Sequence, residues 1–290
     1  MRSFALWRDR RGRISVLRIA TLALLFWPLV LALSVGLTRG LGGRPLNDLI
    51  HRAGFWALIF LLLSLAVTPL RRAGHFGKLI DVRRMIGVGA FVYALTHLGL
   101  FIADQKFDLL HAAAEIVKRP YLVVGFTALL GLTALAATST DAMVKRLGGL
   151  RWRQLHQITY VIGLLALIHF FQQTKADLTV PTLYAGFFVW LMGYRLLAKW
   201  RGEGSLNAGW LALLAVAAGL LTLVGEAIGI AIAFGVSPLM VLASALDLDV
   251  GLRPGWSILA AGLLVAALDL VRSWMERRSR PLAARGVPAE

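Results

Sequence analysis

The sequence predicts an all-α integral membrane protein, a bundle of about eight transmembrane helices, and three observations support this prediction. Hydrophobic residues make up 58% of the 290 residues and charged residues only 16%, which is typical of a polytopic membrane protein. Apolar runs long enough to cross a bilayer recur along the chain. Lysine and arginine lie mainly in short segments between these runs, so the net charge of +16 indicates membrane topology and no nucleic-acid partner.

The first predicted span follows a basic N-terminus. Residues 1–18 hold six of the 31 Lys and Arg residues, and the apolar run 19–37 comes directly after them. A signal peptide has the same order, but this run is long and lacks a clear small-x-small cleavage site, so we interpret it as a transmembrane helix. Seven further spans are predicted at 55–70, 85–103, 121–138, 156–171, 182–198, 206–234 and 256–271.

The loops between the spans predict an orientation. The N-terminus and every second connecting segment after it carry 23 of the 31 basic residues, whereas the opposite set carries 8. Because basic loops are retained on the cytoplasmic side, both termini are expected in the cytoplasm.

Composition also restricts the chemistry of any site. The chain has no cysteine, which excludes disulfides, iron–sulfur clusters and thiolate ligands. No connecting segment is long enough for a soluble catalytic domain, and no G-x-G-x-x-G motif follows a strand-like run. A metal or cofactor is therefore expected to be held by His, Met, carboxylate or backbone groups.

His97 and His169 are the first candidates for such a site. Helical rise puts His97 about 20 Å from the cytoplasmic entrance of the third span, in the outer half of the membrane, and His169 lies at a comparable depth in the fifth span. One imidazole from each of two facing helices can bind the iron of a b-type haem from opposite faces, and Gly99 and Gly163 could leave room for the macrocycle. In the alternative, each histidine hydrogen-bonds a neighbouring helix.

Other histidines leave more than one interpretation open. His156 lies 13 residues before His169, about 20 Å along a helix, and is either a ligand of a second, inner haem or a solvated interfacial residue. The only candidate partner near it is His75, in a basic loop. His51, at the outer start of the second span, can add to the outer site or lie at the interface. His111 follows D-Q-K-F-D, which should end the helix, so we expect it in a loop.

Glu226 is a carboxylic acid inside the seventh predicted span. Such a residue invites a proton-relay interpretation, but the sequence shows no partner for it. We expect a buried protonated carboxyl or a cavity-facing residue.

Eight short motifs lie in order between residues 41 and 199. They are N-D-L-I-H-R-A-G (47–54), T-P-L (68–70), D-V-R-R-M-I-G (81–87), Y-A-L-T-H-L (93–98), K-R-P-Y (118–121), A-A-T-S-T (136–140), L-G-G-L-R-W-R-Q-L-H-Q-I-T-Y (147–160) and L-I-H-F (167–170). In order and spacing they resemble the MsrQ family, also called YedZ. This family belongs to the ferric-reductase-like transmembrane group and serves a bacterial system that repairs methionine sulfoxide in periplasmic proteins.

The resemblance implies one or two b-type haems, with the family's ligand histidines falling on His97, His156 and His169. It implies an FMN requirement as well, although no motif marks the FMN site. It further implies an electron-transfer subunit of the bacterial inner membrane, distinct from the catalytic subunit. Electrons would pass from the quinone pool or a cytoplasmic NAD(P)H flavin reductase to MsrP, the periplasmic molybdopterin subunit.

A domain organisation follows from the resemblance together with the span prediction. Residues 1–18 would form a basic cytoplasmic N-terminus and 19–201 a six-helix, ferric-reductase-like haem core. Residues 202–272 would form two additional spans that shorter relatives lack, and 273–290 a basic cytoplasmic tail.

Two other function classes remain open. A transmembrane reductase for ferric or cupric ions would use the same haem core, but such reductases usually carry a fused flavin and nicotinamide domain. A transporter would use the polar residues as a relay, but the repeat symmetry and short broken helices of that class are not evident.

Overall fold

The structure is a computed structural model, and helices account for almost all of its described residues. Eight helices, counted over these residues, are long and apolar enough to cross a membrane, which confirms the all-α class and the predicted number of spans. Large apolar side chains such as Leu213, Leu220 and Leu221 are exposed on these helices. An apolar surface of this kind is stable against lipid but unfavourable in water. The chain is therefore a multi-pass membrane protein. The described residues are 6–8, 12–38, 43–174, 177–202, 204–247 and 251–279.

Twelve α-helices follow one another along the described part of the chain. They are α1 (Val16–Thr38), α2 (Pro45–Ala73), α3 (Ile80–Asp104), α4 (Leu109–Lys118), α5 (Pro120–Ala137), α6 (Asp141–Leu147), α7 (Gly149–His156), α8 (Thr159–Gln173), α9 (Thr179–Arg201), α10 (Ala208–Phe234), α11 (Pro238–Ser244) and α12 (Pro254–Ser279).

Local signals set several of the helix ends. Side chains of Asp108, Thr140 and Asn207 accept hydrogen bonds from backbone N–H groups at the starts of α4, α6 and α10, as N-cap residues do. Pro120 and Pro238 begin α5 and α11, where the missing N–H of proline costs no helical hydrogen bond.

Helix α2 is longer than the predicted span 55–70. Its extra turns are polar, but Asp48 lies in the first turn and Arg71 and Arg72 lie in the last turn. Charges of these signs complement the helix dipole, so the helix continues beyond its apolar part at both ends.

The predicted span that holds His156 and His169 is confirmed as the candidate membrane span Gly149–Gln173, which consists of α7 and α8, but the expectation of one continuous helix over it is wrong. His156 is the last residue of α7, and α8 begins at Thr159. At the junction, backbone N–H groups bond to carbonyls three residues earlier, from Gln157 to Gln154 and from Ile158 to Leu155. This tighter 3₁₀-type pattern interrupts the α-helix between the two histidines.

The expectation that His111 lies in a loop is also wrong. Helix α3 does end at Asp104, within the D-Q-K-F-D segment, but α4 starts at Leu109 and includes His111. Lys106 and Phe107 reverse the chain with positive φ angles of 57° and 61°, so two left-handed residues are enough for the turn.

The chain divides into two compact units, and the first consists of Met1–Leu65 and Lys78–Gln173. Within it α5 packs against α8, and α3 packs against both α1 and α5. Tyr93 of α3 donates a hydrogen bond to the Leu25 carbonyl of α1 at 2.7 Å and packs on the fully buried Phe60 of α2, with ring centroids 5.2 Å apart.

The second unit consists of Ala66–Gly77 and Thr174–Glu290. Its α9, α10 and α12 pack against one another around a core that includes Tyr194, Leu211 and Ala266. Helices α10 and α12 approach closely at two glycines, because a Cβ atom on Gly255 would lie 2.6 Å from the carbonyl oxygen of Gly219.

Glu226 has a partner that the sequence did not reveal. Its side chain is 2% exposed on α10, and its Oε1 lies 3.4 Å from Nη1 of Arg253. The other terminal nitrogen of Arg253 donates to the Ser244 hydroxyl at 3.0 Å. The arginine therefore links α10 to the end of α11, and Glu226 belongs to a buried ion pair rather than standing alone.

This pair predicts a stability effect. Replacing Arg253 with Met leaves the carboxyl of Glu226 buried without its cation, which we expect to cost about 2 kcal/mol, since losing one partner of a buried pair is costlier than losing both. The double variant Arg253→Met/Glu226→Gln should recover part of that loss. Thermal unfolding of the purified protein, followed by intrinsic tryptophan fluorescence, measures both effects.

The matched control is Arg277→Met, an exposed arginine near the end of α12, which should unfold like the wild type. Equal melting temperatures for Arg253→Met and Arg277→Met would show that the pair contributes nothing to stability.

Candidate functional site

The structure brings His97 of α3 and His169 of α8 together. Their ring centroids are 6.2 Å apart and their planes are inclined at 79°. The sequence predicted similar depths for these two histidines in the third and fifth spans, and the contact between their rings in the first unit agrees with that prediction.

Each ring is held by a backbone carbonyl of a neighbouring helix. Nδ1 of His97 lies 2.7 Å from the Ile50 oxygen of α2, and Nδ1 of His169 lies 2.7 Å from the Tyr121 oxygen of α5. A carbonyl oxygen can only accept, so each Nδ1 must carry the hydrogen and each Nε2 keeps a free lone pair. This is the tautomer that a metal-binding histidine with a second hydrogen-bonded nitrogen adopts.

Two glycines lie directly against the rings. A Cβ atom on Gly54 of α2 would be 2.9 Å from Nδ1 of His97, and one on Gly125 of α5 would be 2.8 Å from Nδ1 of His169. The sequence pointed instead to Gly99 and Gly163. A Cβ atom on Gly99 would meet no protein atom within 4 Å, so Gly99 does not pack against either ring.

The residues present fit the haem that the sequence led us to expect. The two ring centroids lie 6.2 Å apart, and an imidazole nitrogen binds a transition metal at about 2.0 Å, so both rings are near enough to serve one metal ion. The two Nε2 atoms, which the carbonyl bonds leave without a hydrogen, would hold the iron of a haem.

Aromatic side chains flank the pair. Tyr121 stacks near His169 at a centroid distance of 6.3 Å and an angle of 28°. Phe170 of α8 meets Phe55 of α2 edge to face at 6.2 Å. Tyr121 also provides the carbonyl that holds His169, while Phe170 directly follows His169 and Phe55 directly follows Gly54.

His51 borders this site, and His111 does not join it. The His51 ring is exposed at the start of α2, and its Nδ1 lies 2.8 Å from the Asn47 carbonyl oxygen. It is close enough to interact electrostatically with both His97 and His169. The His111 side chain is exposed on α4.

An open cavity lies beside this end of α2. Its volume is about 430 Å³, and it is lined by the first residues of α2 and the last residue of α3. The two helices that hold His97 and its carbonyl partner thus both border a surface opening. The lining residues are Arg44, Pro45, Leu46, Asn47 and Asp104.

His156 occupies a separate, half-buried place in the same unit. Its ring stacks on Trp152 with centroids 3.9 Å apart at 27°, and its Nε2 lies 3.2 Å from the Thr138 hydroxyl. Trp152 in turn donates to the Thr138 carbonyl at 2.9 Å. Arg83 and Arg84 are close enough to interact with it electrostatically, so the surroundings of His156 are both aromatic and cationic.

No second histidine ring contacts His156 among the described residues of this unit. His75, the candidate partner from sequence, belongs to the second unit and is engaged there by two carboxylates of α12. Its Nδ1 lies 2.6 Å from Oε1 of Glu276 and its Nε2 lies 3.7 Å from Oδ1 of Asp269.

Comparison with known proteins places the chain in a family. A family model described as the ferric reductase like transmembrane component matches residues 53–167. The haem-binding subunit MsrQ of the protein-methionine-sulfoxide reductase from Ralstonia nicotianae is 37% identical over 201 residues, which cover 68% of this chain and 93% of that protein. The proteins of the same name from Xanthomonas campestris pv. campestris and Herminiimonas arsenicoxydans are 44% and 40% identical, covering 61% and 59% of this chain and 81% and 80% of theirs.

No solved structure gave a significant match. About a third of the chain lies outside the match to the Ralstonia protein, whereas almost all of that protein is covered. The chain is a member of the MsrQ family, within the ferric-reductase-like transmembrane group.

Proposed function

We propose that this protein is the membrane b-type cytochrome of a methionine sulfoxide reductase system. It would carry electrons through the bacterial inner membrane to MsrP, a periplasmic molybdopterin subunit. The observation that carries the proposal is the His97–His169 pair, because two imidazoles with free Nε2 atoms at this spacing are suited to one iron. The names of the relatives, which describe haem-binding subunits, support the same assignment.

A b-type haem, when bound, supplies a centre that takes up and releases one electron at a time. His97 and His169 would hold its iron through Nε2. Two neutral imidazole ligands would supply a centre suited to one-electron transfer.

The backbone partners tune this pair. The carbonyls of Ile50 and Tyr121 accept from Nδ1, which fixes the tautomer and raises the basicity of each imidazole at Nε2. A more basic ligand stabilises the oxidised metal, so these hydrogen bonds favour a centre that gives up its electron readily. Such a centre suits a donor to a partner protein.

His156 would serve the side where electrons enter. Since no second histidine ring contacts it in the described part of the unit, we assign one haem to the outer pair and give His156 the role of an exchangeable ligand or donor contact. The donor would be quinol or a flavin delivered by a cytoplasmic NAD(P)H reductase. Trp152 offers a flat surface, and Arg83 and Arg84 offer positive charge, which suit an FMN group or a quinone ring.

The orientation follows from the basic loops. With both termini in the cytoplasm, His156 lies near the cytoplasmic face and the His97–His169 pair near the periplasmic one, so electrons would move outward. The haem core would span 19–201, with 202–272 as two appended spans. The family match at 53–167 falls within that core.

A first prediction concerns the haem ligands. Purified wild type should show a low-spin b-type spectrum in the reduced-minus-oxidised difference, and His97→Ala and His169→Ala should each abolish it, because each removes an axial nitrogen. His111→Ala, which changes an exposed histidine of the same unit, is the control and should keep the wild-type spectrum. A wild type without haem would refute the proposed function.

A second prediction concerns His156. His156→Ala should keep the haem of the outer pair but slow its reduction by a quinol analogue or reduced FMN several-fold, as followed by stopped-flow absorbance. Reduction by dithionite, which needs no specific site, should proceed at the wild-type rate. If the variant loses half of the haem per chain, His156 instead holds a second haem.

A third prediction separates the proposed function from a ferric or cupric reductase. The reduced protein should be reoxidised rapidly by MsrP when methionine sulfoxide is present, and only slowly by ferric citrate or cupric ions. The measurement is the decay of the reduced haem band after mixing. Fast reoxidation by the metal ions and none by MsrP would favour the reductase.

A further inference from the structure

The two candidate haem ligands are held in the same way by two different helices. The carbonyl that accepts from His97 belongs to Ile50, and the glycine beneath that ring is Gly54. The carbonyl that accepts from His169 belongs to Tyr121, and the glycine beneath that ring is Gly125. In both helices the glycine follows the accepting carbonyl by four residues.

Helix geometry explains this spacing. In an α-helix the carbonyl of residue i accepts from the N–H of residue i+4, and the Cα–Cβ bond of residue i+4 tilts back toward the helix N-terminus. A side chain at i+4 therefore covers the turn that contains this carbonyl. A glycine at i+4 leaves the second lone pair of the oxygen open to a bulky ring from another helix.

The distances show that no other residue fits without moving a ring. A Cβ atom on Gly54 would be 2.9 Å from Nδ1 and 3.1 Å from Cε1 of His97, and a Cβ atom on Gly125 would be 2.8 Å from the same two atoms of His169. The atoms that would be met are the ones engaged with the carbonyl. Because the ring is fixed there by its hydrogen bond, relief of the clash would break that bond.

We propose that Gly54 and Gly125 are positioning residues for the two axial haem ligands. Each glycine exposes the carbonyl four residues before it and lets the imidazole reach that carbonyl. The pair of glycines thereby sets the orientation of both ligands and the redox potential of the iron. This inference rests on the proposed haem function.

The expected effect has a direction. Moving the ring away from the carbonyl weakens the Nδ1 hydrogen bond, which makes Nε2 a poorer donor to the metal and destabilises the oxidised state. Gly54→Ala and Gly125→Ala should therefore lower haem affinity about 10- to 100-fold, as loss of an outer hydrogen-bond partner typically does. Any haem that remains should have a more positive midpoint potential.

The matched control is Gly131→Ala. Gly131 lies on α5, like Gly125, and its Cβ atom would be 2.8 Å from Cγ1 of Ile162, so the crowding is comparable but does not involve a histidine. The full chain is purified for each variant. Haem per chain, the low-temperature electron paramagnetic resonance spectrum and the midpoint potential are then measured together with thermal unfolding.

We expect Gly131→Ala to lose only thermal stability and to keep the wild-type resonance spectrum and potential. Gly54→Ala and Gly125→Ala should change both. Wild-type spectra and potentials in these two variants would overturn the inference, as would an equal change in Gly131→Ala.

A double-variant cycle covers the case in which the substitutions prevent folding. Gly54→Ala should destabilise the wild type but have little effect in a His97→Ala background, because the crowded ring is then absent. The same holds for Gly125→Ala with His169→Ala. Equal destabilisation in both backgrounds would overturn the inference. A wild type that binds no haem would instead refute the proposed function, and the cycle would still report on the contact between glycine and ring.

Discussion

The first unit depends on one constraint, which is that an imidazole N–H placed among apolar helices must find an acceptor. An unsatisfied polar group in such surroundings costs several kcal/mol. The Nδ1 atoms of His97 and His169 meet this need with backbone carbonyls of α2 and α5. Because each bond joins two different helices, the pair ties α3 to α2 and α8 to α5. The contacts that place the two proposed iron ligands are therefore also contacts that hold the unit together.

The sequence was sufficient to predict the relative depth of these two histidines. It was insufficient to predict their hydrogen-bond partners. Helical rise is regular, so counting residues from the basic loops put His97 and His169 at the same level, and the structure brings them together. The acceptors lie 47 and 48 residues away from their donors, and every residue has a carbonyl. No feature of the sequence identifies the carbonyls of Ile50 and Tyr121 as the ones that are open to a second hydrogen bond. Only the glycine four residues later carries a signal, and it becomes informative once the helices have been paired.

The other differences between prediction and structure have related causes. At the junction between α7 and α8 the backbone hydrogen bonds change from the i→i−4 pattern to the i→i−3 pattern. This change leaves the sequence pattern of apolar residues unaltered, so the sequence does not reveal it. Helix α4 was missed because its ten residues are too few for a span. The partner of Glu226 was missed because Arg253 is 27 residues away, where the basic-loop count treated it as an ordinary loop charge.

The two kinds of histidine environment support different roles. A carbonyl can only accept, so it fixes the tautomer of His97 and His169 and leaves Nε2 free in both. His156 instead meets the hydroxyl of Thr138 through Nε2. That hydroxyl donates its only hydrogen to the Ala134 carbonyl at 2.8 Å, so it accepts from His156, and Nε2 carries the hydrogen. The two environments therefore differ in which imidazole nitrogen keeps its lone pair. It is Nε2 in His97 and His169, whose Nδ1 atoms bond to carbonyls, and Nδ1 in the half-buried His156.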